Sequence, residues 1–296
     1  MSATAAPARA GLIARPSLPA AAATLADAAA WLAAHGCTPV IEHESARAAG
    51  LDHRWPTAPR EGLASDVGLV IAFGGDGTLL DAARAVVDSG TDVPLMGINL
   101  GRLGFLTEVG RADMLRALEA VMAGETRIEP RLLLVGRVMR ERRSIGERLA
   151  LNDIVVTRGA LSRMIEMDVD VNAQFVCHVK ADGLIVATAT GSTAYNLSAG
   201  GPIVHPDLDA VVLTPIAPHT LTQRPIVLPG SAQIALRPII DPLADIVVTF
   251  DGQFGLPLEP GDLVELARAP RVLRLLRTSS RSHFDMLREK LKWGNG

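Results

Sequence analysis

The first part of the chain alternates short apolar runs with longer segments of helical character. Val67–Phe73 is apolar at almost every position, which is typical of a parallel strand covered on both faces. Ala21–Ala34 has strong helix propensity and is followed by Gly36, a common residue just beyond a helix. The same patterns predict strands at Gly11–Arg15, Thr38–Glu42 and Val93–Asn99 and helices at Thr78–Val87 and Arg111–Met122. Because strands and helices alternate, residues 1–125 are predicted to form an α/β domain.

After Gly124 the pattern changes to short strands separated by turns that are rich in glycine and proline. Strands are predicted at Leu132–Val138, Asp153–Thr157, Ile165–Val171, Gln174–Val179, Leu184–Ala187, Ile226–Leu228, Gln233–Leu236, Ile246–Phe250 and Leu263–Ala267. Residues 126–275 are therefore expected to form a β-rich second domain. In residues 276–296, the helical spacing of Phe284, Leu287 and Leu291 predicts a helix whose apolar stripe packs on the first domain.

Composition and charge fit an ordinary globular protein of two domains. The 296 residues are 48% hydrophobic and 21% charged, within the usual range for folded domains. The net charge of -3 is the balance of 29 basic and 32 acidic residues without long runs of one sign. This charge pattern argues against nucleic acid as a partner.

The sequence also restricts the cellular setting. Two isolated cysteines are too few for a disulfide scaffold and lack the spacing of a zinc site, which fits a reducing cytoplasm. No apolar run is long enough to span a bilayer, so no membrane association is expected. The alanine-rich start contains three prolines, which argue against a cleaved targeting peptide.

A glycine-rich turn follows the buried strand Val67–Phe73, and its residues are Gly74, Gly75, Asp76, Gly77 and Thr78. Glycines allow backbone to approach a phosphate closely, and the N-terminus of the next helix attracts anions. Beside a phosphate, Asp76 would accept a proton from an attacking hydroxyl or help to hold a metal. The turn alone fits equally well a structural role in which Asp76 caps the helix.

Three further stretches are candidates for ligand contacts. In Asp182–Pro202 a hydrophobic strand leads into short hydroxyl side chains, and Tyr195 offers a ring for stacking. Asn99–Leu106 is a glycine-bearing turn after a buried strand, suited to the carboxyl edge of a sheet. The pair Asn152 and Asp153 offers an amide and a carboxylate for ribose hydroxyls. Each stretch equally fits a structural loop, turn or cap.

Common nucleotide-site and hydrolase motifs are missing from the sequence. There is no G-x-x-x-x-G-K-[ST] motif, no G-x-G-x-x-G after a strand and no G-x-S-x-G. These absences argue against a P-loop enzyme, a usual dinucleotide-binding dehydrogenase and an α/β-hydrolase.

Taken together and in order, the motifs resemble those of the NAD kinase family. They comprise Gly74–Thr78, Asn99–Leu106, Asn152–Asp153, Asp182–Pro202, Pro218–Leu221 with Arg224–Pro225, Asp251–Gln253 and Phe284–Leu291. The resemblance covers essentially the whole chain. It implies a Rossmann-like three-layer α/β domain, a β-rich C-terminal domain and a C-terminal helix that packs back. It also implies a cytoplasmic homo-oligomer, a dimer or a tetramer, that transfers a phosphoryl group from ATP, or polyphosphate, to the adenosine ribose 2'-hydroxyl of NAD.

The resemblance assigns roles residue by residue. It implies that Asp76 is the proton acceptor, that Gly74, Gly75, Gly77 and Thr78 bind phosphate, and that a divalent metal, Mg²⁺, accompanies ATP. It implies NAD contacts from Asp76, Gly77, Asn152, Asp153, Arg163, Lys180, Asp182, Thr193, Ala194, Tyr195, Asn196, Leu197, Ser198, Ala217 and Gln253. No residue is assigned as a metal ligand.

Two positions depart from the family pattern, and two rival functions stay open. Asp153 is one methylene shorter than the usual glutamate, and Ala189 stands where proline is common. The glycine–aspartate turn is shared with diacylglycerol kinase-like and phosphofructokinase-like enzymes, so a lipid or sugar kinase is one rival. The other is an NAD sensor without catalysis, against which the intact turn argues because binding alone needs no base.

Overall fold

The computed structural model describes residues 6–15, 19–159, 164–241, 245–278 and 281–293. The chain forms two compact units. The first comprises Met1–Pro130 together with Leu273–Gly296, and the second comprises Arg131–Val272. Across the described ranges, no helix is both long and apolar enough to cross a membrane.

The first unit is built on a parallel sheet with helices packed against it. The strands are β1 (Arg9–Ala14), β2 (Thr38–Glu42), β3 (Thr57–Ala58), β4 (Leu69–Phe73), β5 (Leu95–Asn99) and β6 (Val109–Gly110). The helices are α1 (Pro19–Ala34), α2 (His43–Ala49), α3 (Asp76–Asp88) and α4 (Met114–Ala123). With β6 paired to β5, the order β6-β5-β4-β1-β2-β3 places β4 inside the sheet, and all five of its residues are buried. A continuous apolar run therefore became a central parallel strand, as predicted.

The second unit is β-rich. It contains β7 (Arg127–Arg140), which begins in the first unit, β8 (Arg143–Ala150), β9 (Asp153–Arg158), β10 (Ile165–Val171), β11 (Gln174–Ala181) and β12 (Gly183–Thr188). It continues with the short helix α5 (Tyr195–Ser198), β13 (Ala210–Ile216), β14 (Ile226–Pro229), β15 (Ile234–Ile239), β16 (Ile246–Phe250), β17 (Phe254–Pro257) and β18 (Leu263–Arg277). Strand β18 ends in the first unit.

Two antiparallel layers enclose the core of this second unit. One is a six-stranded sheet in the order β14-β13-β12-β9-β16-β17. The other has the spatial order β11-β10-β15-β18. The hairpin of β7 and β8 joins this layer through the pairing of β7 with β18. Alternate residues of β10, Ile165, Met167 and Val169, are buried in one cluster with Val186 of β12 and Val248 of β16. The period of two in the sequence thus marks the face that enters the core.

The C-terminal segment ends in helix α6 (His283–Leu291), which belongs to the first unit. Ser282 and Asp285 form a capping box at its start. Met286 and Leu287 are buried, whereas Phe284 is 58% exposed. The predicted stripe was therefore wrong at Phe284: the helix begins at His283, and the inward face is centred on Met286 and Leu287, about 200° and 300° further around the axis than Phe284.

The predicted fold class is confirmed, and several strands have the predicted bounds. Thr38–Glu42, Ile165–Val171 and Ile246–Phe250 agree at both ends. Sequence reasoning missed α2, α5, β3, β6, β8, β13 and β17, and it placed only parts of the long strands β7 and β18. In β13 the obstacle was Pro215, because proline cannot donate a ladder hydrogen bond and is rare in central strands.

Candidate active site

The glycine turn joins β4 to α3 in the first unit. The N–H of Gly74 donates to the carbonyl of Ile98 in the neighbouring strand at 2.9 Å. A Cβ at Gly74 would lie 2.2 Å from the hydroxyl oxygen of Thr78, so no larger residue fits there. Gly75 is the N-cap of α3, and Asp76 is its first residue. The alternative in which Asp76 caps the helix is therefore wrong, and its carboxylate serves another purpose.

The Asp76 carboxylate is bound by the loop that follows β5. Its Oδ2 accepts a hydrogen bond from the N–H of Phe105 at 2.8 Å. Its Oδ1 accepts from the N–H of Leu106 at 3.1 Å, the N–H of Thr107 at 3.0 Å and the hydroxyl of Thr107 at 2.9 Å. A carboxylate has about four lone-pair positions, two on each oxygen. With one donor on Oδ2 and three on Oδ1, the acceptor capacity that remains is on Oδ2.

The loop that encloses this carboxylate depends on Asn99 and Gly104. The side-chain amide of Asn99 donates to the Thr107 hydroxyl at 2.7 Å, which turns that hydroxyl toward Asp76. A Cβ at Gly104 would lie 1.8 Å from Asp76 Oδ1. The sequence indicated that the turn Asn99–Leu106 is a candidate for ligand contacts, and in the structure this loop contacts the candidate base directly.

In the second unit, Asn152 and Asp153 lie at the start of β9 and are held by Asp251. The Asp251 carboxylate accepts from the N–H groups of Leu151 at 2.9 Å, Asn152 at 2.7 Å and Asp153 at 3.1 Å. Asp251 and Gly252 both have positive φ, at 50° and 63°, in the hairpin between β16 and β17. Sequence reasoning gave Asp251 no role, although an Asp-Gly pair is a hairpin signal that could have placed it.

The turn after β12 packs directly on the Asn152 turn. The Thr188 hydroxyl donates to the carbonyl of Leu151 at 2.6 Å, and the Thr188 N–H donates to the carbonyl of Asn152 at 2.8 Å. A Cβ at Gly191 would lie 2.0 Å from the Asn152 carbonyl oxygen. The structure thus brings together two stretches, Asn152–Asp153 and the start of the Thr190–Ser198 loop, that the sequence only suggested separately.

Within the Thr190–Ser198 loop, the side chains divide into buried and accessible ones. Ser192 is fully buried and its hydroxyl donates to the Ala189 carbonyl at 2.7 Å, so it is not the ligand donor that its position in the sequence suggested. Asn196 is also fully buried, and its amide bonds to Ser192, Pro202 and Thr214. Tyr195 is 46% exposed and Ser198 is exposed. Thr193, Ala194 and Leu197 are half-buried.

Lys180, Asp182 and Ala217 form a second group, called the Lys180 group. Asn152, Asp153 and the Thr190–Ser198 loop form the Asn152 group. Lys180 is exposed and pairs with Glu166 at 2.6 Å, and Asp182 accepts from Arg158 Nε at 2.7 Å. The Asp182 N–H donates to the carbonyl of Ile216, next to the exposed Ala217. Gln253 instead follows Asp251 in the hairpin that holds Asn152. The predicted contact Arg163 lies outside the described residues.

Strand β12 separates the two groups. Gly183, next to Asp182, pairs with Thr157, whereas Ala187 pairs with Asp153. A strand of six residues spans roughly 17–20 Å, so the Lys180 group and the Asn152 group lie at opposite ends of it. In one copy of the chain these two groups do not converge on a common point.

Asp153 has an electrostatic setting unlike that of an ordinary surface carboxylate. It is 5% exposed. Burial, followed by repulsion from the charge of Asp251, raises the pKa of Asp153 to about 7. Shifts of this size are typical of functional carboxylates and of buried structural ones. As for metal ligands, no three His, Cys, Asp or Glu side chains cluster suitably in the part of the chain that the structure describes.

Comparison with known proteins places both units in one family. The ATP-NAD kinase N-terminal domain matches residues 10–126, and the ATP-NAD kinase C-terminal domain matches residues 151–278. The chain is 42% identical to the NAD kinase of Citrifermentans bemidjiense over 264 residues, 89% of this chain and 91% of the relative. It is 42% identical to the NAD kinase of Syntrophotalea carbinolica over 286 residues, 97% and 99% of the two chains. The chain belongs to the NAD kinase family.

The fold agrees with that of crystal structures from this family. Yeast NADH kinase, crystallised with NADH, superposes with a TM-score of 0.86 at 23% identity, covering 97% of this chain and 88% of that one. An NAD kinase from Archaeoglobus fulgidus, crystallised with ATP, superposes with a TM-score of 0.73 at 24% identity, covering 96% and 98%. These likenesses support the α/β first unit, the β-rich second unit and the C-terminal helix.

The raised pKa of Asp153 predicts how stability depends on pH. An unfolded aspartate has a pKa of about 3.9, so between about pH 4 and pH 7 the folded chain binds a proton that the unfolded chain has lost. The contribution of Asp153 to the free energy of unfolding should therefore decrease as pH rises through this window. Asp153→Asn removes this penalty, and its advantage over wild type should be larger at pH 7.5 than at pH 5. Urea unfolding of both proteins at the two pH values measures the difference.

Taking the difference between variant and wild type cancels the titration of all groups that do not interact with Asp153, which both proteins share. A difference that stays constant between pH 5 and pH 7.5 would show that Asp153 titrates at an ordinary pKa.

Proposed function

We propose that this protein phosphorylates the 2'-hydroxyl of the adenosine ribose of NAD, with ATP as the donor, to give NADP. The observation that carries the proposal is the Asp76 carboxylate, which four donors fix at the start of α3, within the glycine turn of a chain that belongs to the NAD kinase family. A turn that only bound phosphate would not need a carboxylate beside the anion. Polyphosphate as an alternative donor is part of the same proposal.

In the proposed reaction Asp76 acts as the proton acceptor. The ribose 2'-oxygen attacks the γ-phosphorus of ATP, and the bond from this phosphorus to the β–γ bridging oxygen breaks, so that ADP leaves. The 2'-hydroxyl proton passes to Asp76 Oδ2, the oxygen with acceptor capacity left. The backbone of Gly74–Thr78 and the N-terminus of α3 hold the transferring phosphate. Asp76 as a metal-positioning group remains the alternative role.

Magnesium enters this scheme with the donor. Mg²⁺ prefers oxygen ligands and is commonly bound through substrate phosphates with only one or two protein carboxylates. We propose that ATP binds as its Mg²⁺ complex, which offsets the charge of the triphosphate next to Asp76.

Binding of NAD is proposed for residues 126–275. Asn152 and the ionised form of Asp153 are suited to paired ribose hydroxyls, and the exposed ring of Tyr195 is suited to stacking. Because Asn196 is fully buried as a whole residue, its proposed contact with NAD requires that binding make it accessible. Asp153 is shorter than the usual glutamate, so one contact is expected to be longer or bridged by water.

A homo-oligomer, a dimer or a tetramer, is part of the proposal. The Lys180 group and the Asn152 group lie at opposite ends of β12, as their strand pairing requires. If both groups contact NAD, the separation favours an assembly in which the Lys180 group reaches a dinucleotide bound to another copy. A cytoplasmic location is also proposed, and the free state of Cys37 and Cys177 is consistent with it.

Mixing two inactive variants tests the shared site. Asn152→Ala and Asp182→Asn each remove one group, so each homo-oligomer should be nearly inactive. If sites are shared between copies, one of the two sites in a mixed dimer contains both intact groups. Random pairing makes about half of the dimers mixed, so about a quarter of wild-type activity should return. The measurement is NADP formation after joint unfolding and refolding of the two proteins. Activity no higher than the average of the two separate variants would argue that each copy forms its site alone.

The function itself is tested by incubating the pure protein with NAD, ATP and Mg²⁺ and measuring NADP. Parallel assays with diacylglycerol and fructose 6-phosphate test the lipid and sugar kinase alternatives. Formation of NADP, with neither of the other substrates phosphorylated, is the expected result. Tight binding of NAD without NADP formation from any phosphate donor would instead identify a sensor.

A further inference from the structure

Arg277, the last residue of β18, is a buried cation next to the loop that holds the candidate base. Its side chain is 9% exposed, and it lies between two carboxylates. Its Nη1 is 3.1 Å from Glu108 Oε2, and its Nε donates to Glu129 Oε2 at 3.1 Å. Glu108 is itself 8% exposed. None of these residues belongs to a motif that sequence reasoning singled out.

Arg277 also makes a third contact, with the loop that holds Asp76. Its Nη1 donates to the carbonyl oxygen of Leu106 at 3.2 Å. The N–H of the same residue, Leu106, donates to Asp76 Oδ1 at 3.1 Å. Leu106 therefore connects the two side chains. Its carbonyl accepts from the Arg277 guanidinium, and its N–H donates to the Asp76 carboxylate.

The C-terminal helix contacts the neighbouring residue of this loop. The ammonium of Lys290 lies 5.9 Å from the ring centre of Phe105, a distance suited to a cation–π interaction. The N–H of Phe105 donates to Asp76 Oδ2 at 2.8 Å. Residues after 272 thus contact the loop at two adjacent positions, and each of those positions donates to a different oxygen of Asp76.

We propose that Arg277 is a positioning residue for phosphoryl transfer, which it serves by holding Leu106 so that the loop fixes the Asp76 carboxylate. This role rests on the proposed function of Asp76 as the base. Turnover by a general base depends on geometry, and a misplacement of about 1 Å costs up to about a hundredfold in rate. Arg277 lies in the C-terminal segment of the chain, far from the glycine turn in sequence.

The guanidinium group is required because three partners must be contacted at once. Its planar fork presents Nε to Glu129 while Nη1 reaches both Glu108 and the Leu106 carbonyl. A lysine keeps the positive charge between the two glutamates but has a single nitrogen. Arg277→Lys therefore preserves the charge balance of the buried site and weakens the hold on Leu106.

Arg277→Lys is tested against Arg274→Lys as a matched control. Arg274 is on the same strand and also donates to a backbone carbonyl, that of Asp92, at 3.0 Å. For Arg277→Lys we expect kcat to fall by about ten- to a hundredfold while the KM values for NAD and ATP stay within about twofold. The amides of Leu106 and Thr107 should exchange hydrogen at least about tenfold faster. Arg274→Lys should change neither quantity.

A double-mutant cycle separates positioning from a general structural role. In an Asp76→Asn background, Arg277→Lys should lower kcat no further, because the group that it positions is already lost. If the two losses multiply, or if Arg277→Lys lowers only the unfolding midpoint, the positioning role is overturned. Should Arg277→Lys fail to fold, Glu108→Gln weakens the hold on Nη1 more gently and should give the same pattern at about threefold. An unchanged kcat and exchange rate in Glu108→Gln would then overturn the proposal.

The two proposals fail in distinguishable ways. If the wild-type protein forms no NADP, the proposed function fails, while hydrogen exchange at Leu106 and Thr107 still reports whether Arg277 holds the loop. If wild type forms NADP and Arg277→Lys matches Arg274→Lys in kcat and exchange, only the positioning role fails.

Discussion

Asp76→Asn should lower kcat for NADP formation by about a hundred- to ten-thousand-fold, the usual contribution of a general base. The neutral amide has no carboxylate oxygen to take the hydroxyl proton. Its NH₂ group must also face at least one backbone N–H that now donates to a carboxylate oxygen, which should cost about 1–3 kcal/mol in the free energy of unfolding. Steady-state kinetics with NAD and MgATP and urea unfolding measure the two effects separately.

Asp88→Asn is the matched control for this variant. Asp88 is the last residue of the same helix α3 and is exposed, so it undergoes the same chemical change away from the turn. Its kcat should stay within about twofold of wild type, because surface substitutions rarely act at a distance. A folded Asp76→Asn protein with near-normal kcat would exclude Asp76 as the base.

Gly104→Ala should abolish most activity without changing any functional group. The added methyl would lie 1.8 Å from Asp76 Oδ1 and 2.5 Å from the Thr107 hydroxyl, so the loop or the carboxylate must move. Displacing the carboxylate by about 1 Å should lower kcat by about a hundredfold, and the overpacking should cost about 1–3 kcal/mol in stability. The measurements are kcat at saturating substrates and the free energy of unfolding in urea.

The same loop supplies the control for this substitution. Gly101→Ala adds the same methyl group three residues earlier, where no atom lies within 4 Å. Its kcat and stability should remain close to those of wild type. Equal effects of the two substitutions would mean that loop flexibility, and not the clash with Asp76, governs activity.

Local patterns in the sequence were sufficient for much of the fold. The apolar run of β4 and the alternating residues of β10 match the burial of each strand. Both strands could therefore be predicted from their own residues alone. Strand β8 was missed because most of its residues are exposed and carry no apolar period. Helix α2 was missed because it has only seven residues and its N-cap is Glu42, which is not among the usual capping residues.

The sequence by itself determined which turn carries the candidate base and which family the chain resembles, because both depend on residue types in a fixed local order. Only the tertiary structure decided what holds those residues. The donors to Asp76 come from 29 to 31 positions further along the chain, and Asp251 reaches Leu151 across 100 positions. Arg277 meets the Leu106 carbonyl across 171 positions. Hydrogen bonds between such distant residues produce no periodic pattern in either segment. They could not be predicted from the sequence, because they depend on how folding places the two segments relative to each other.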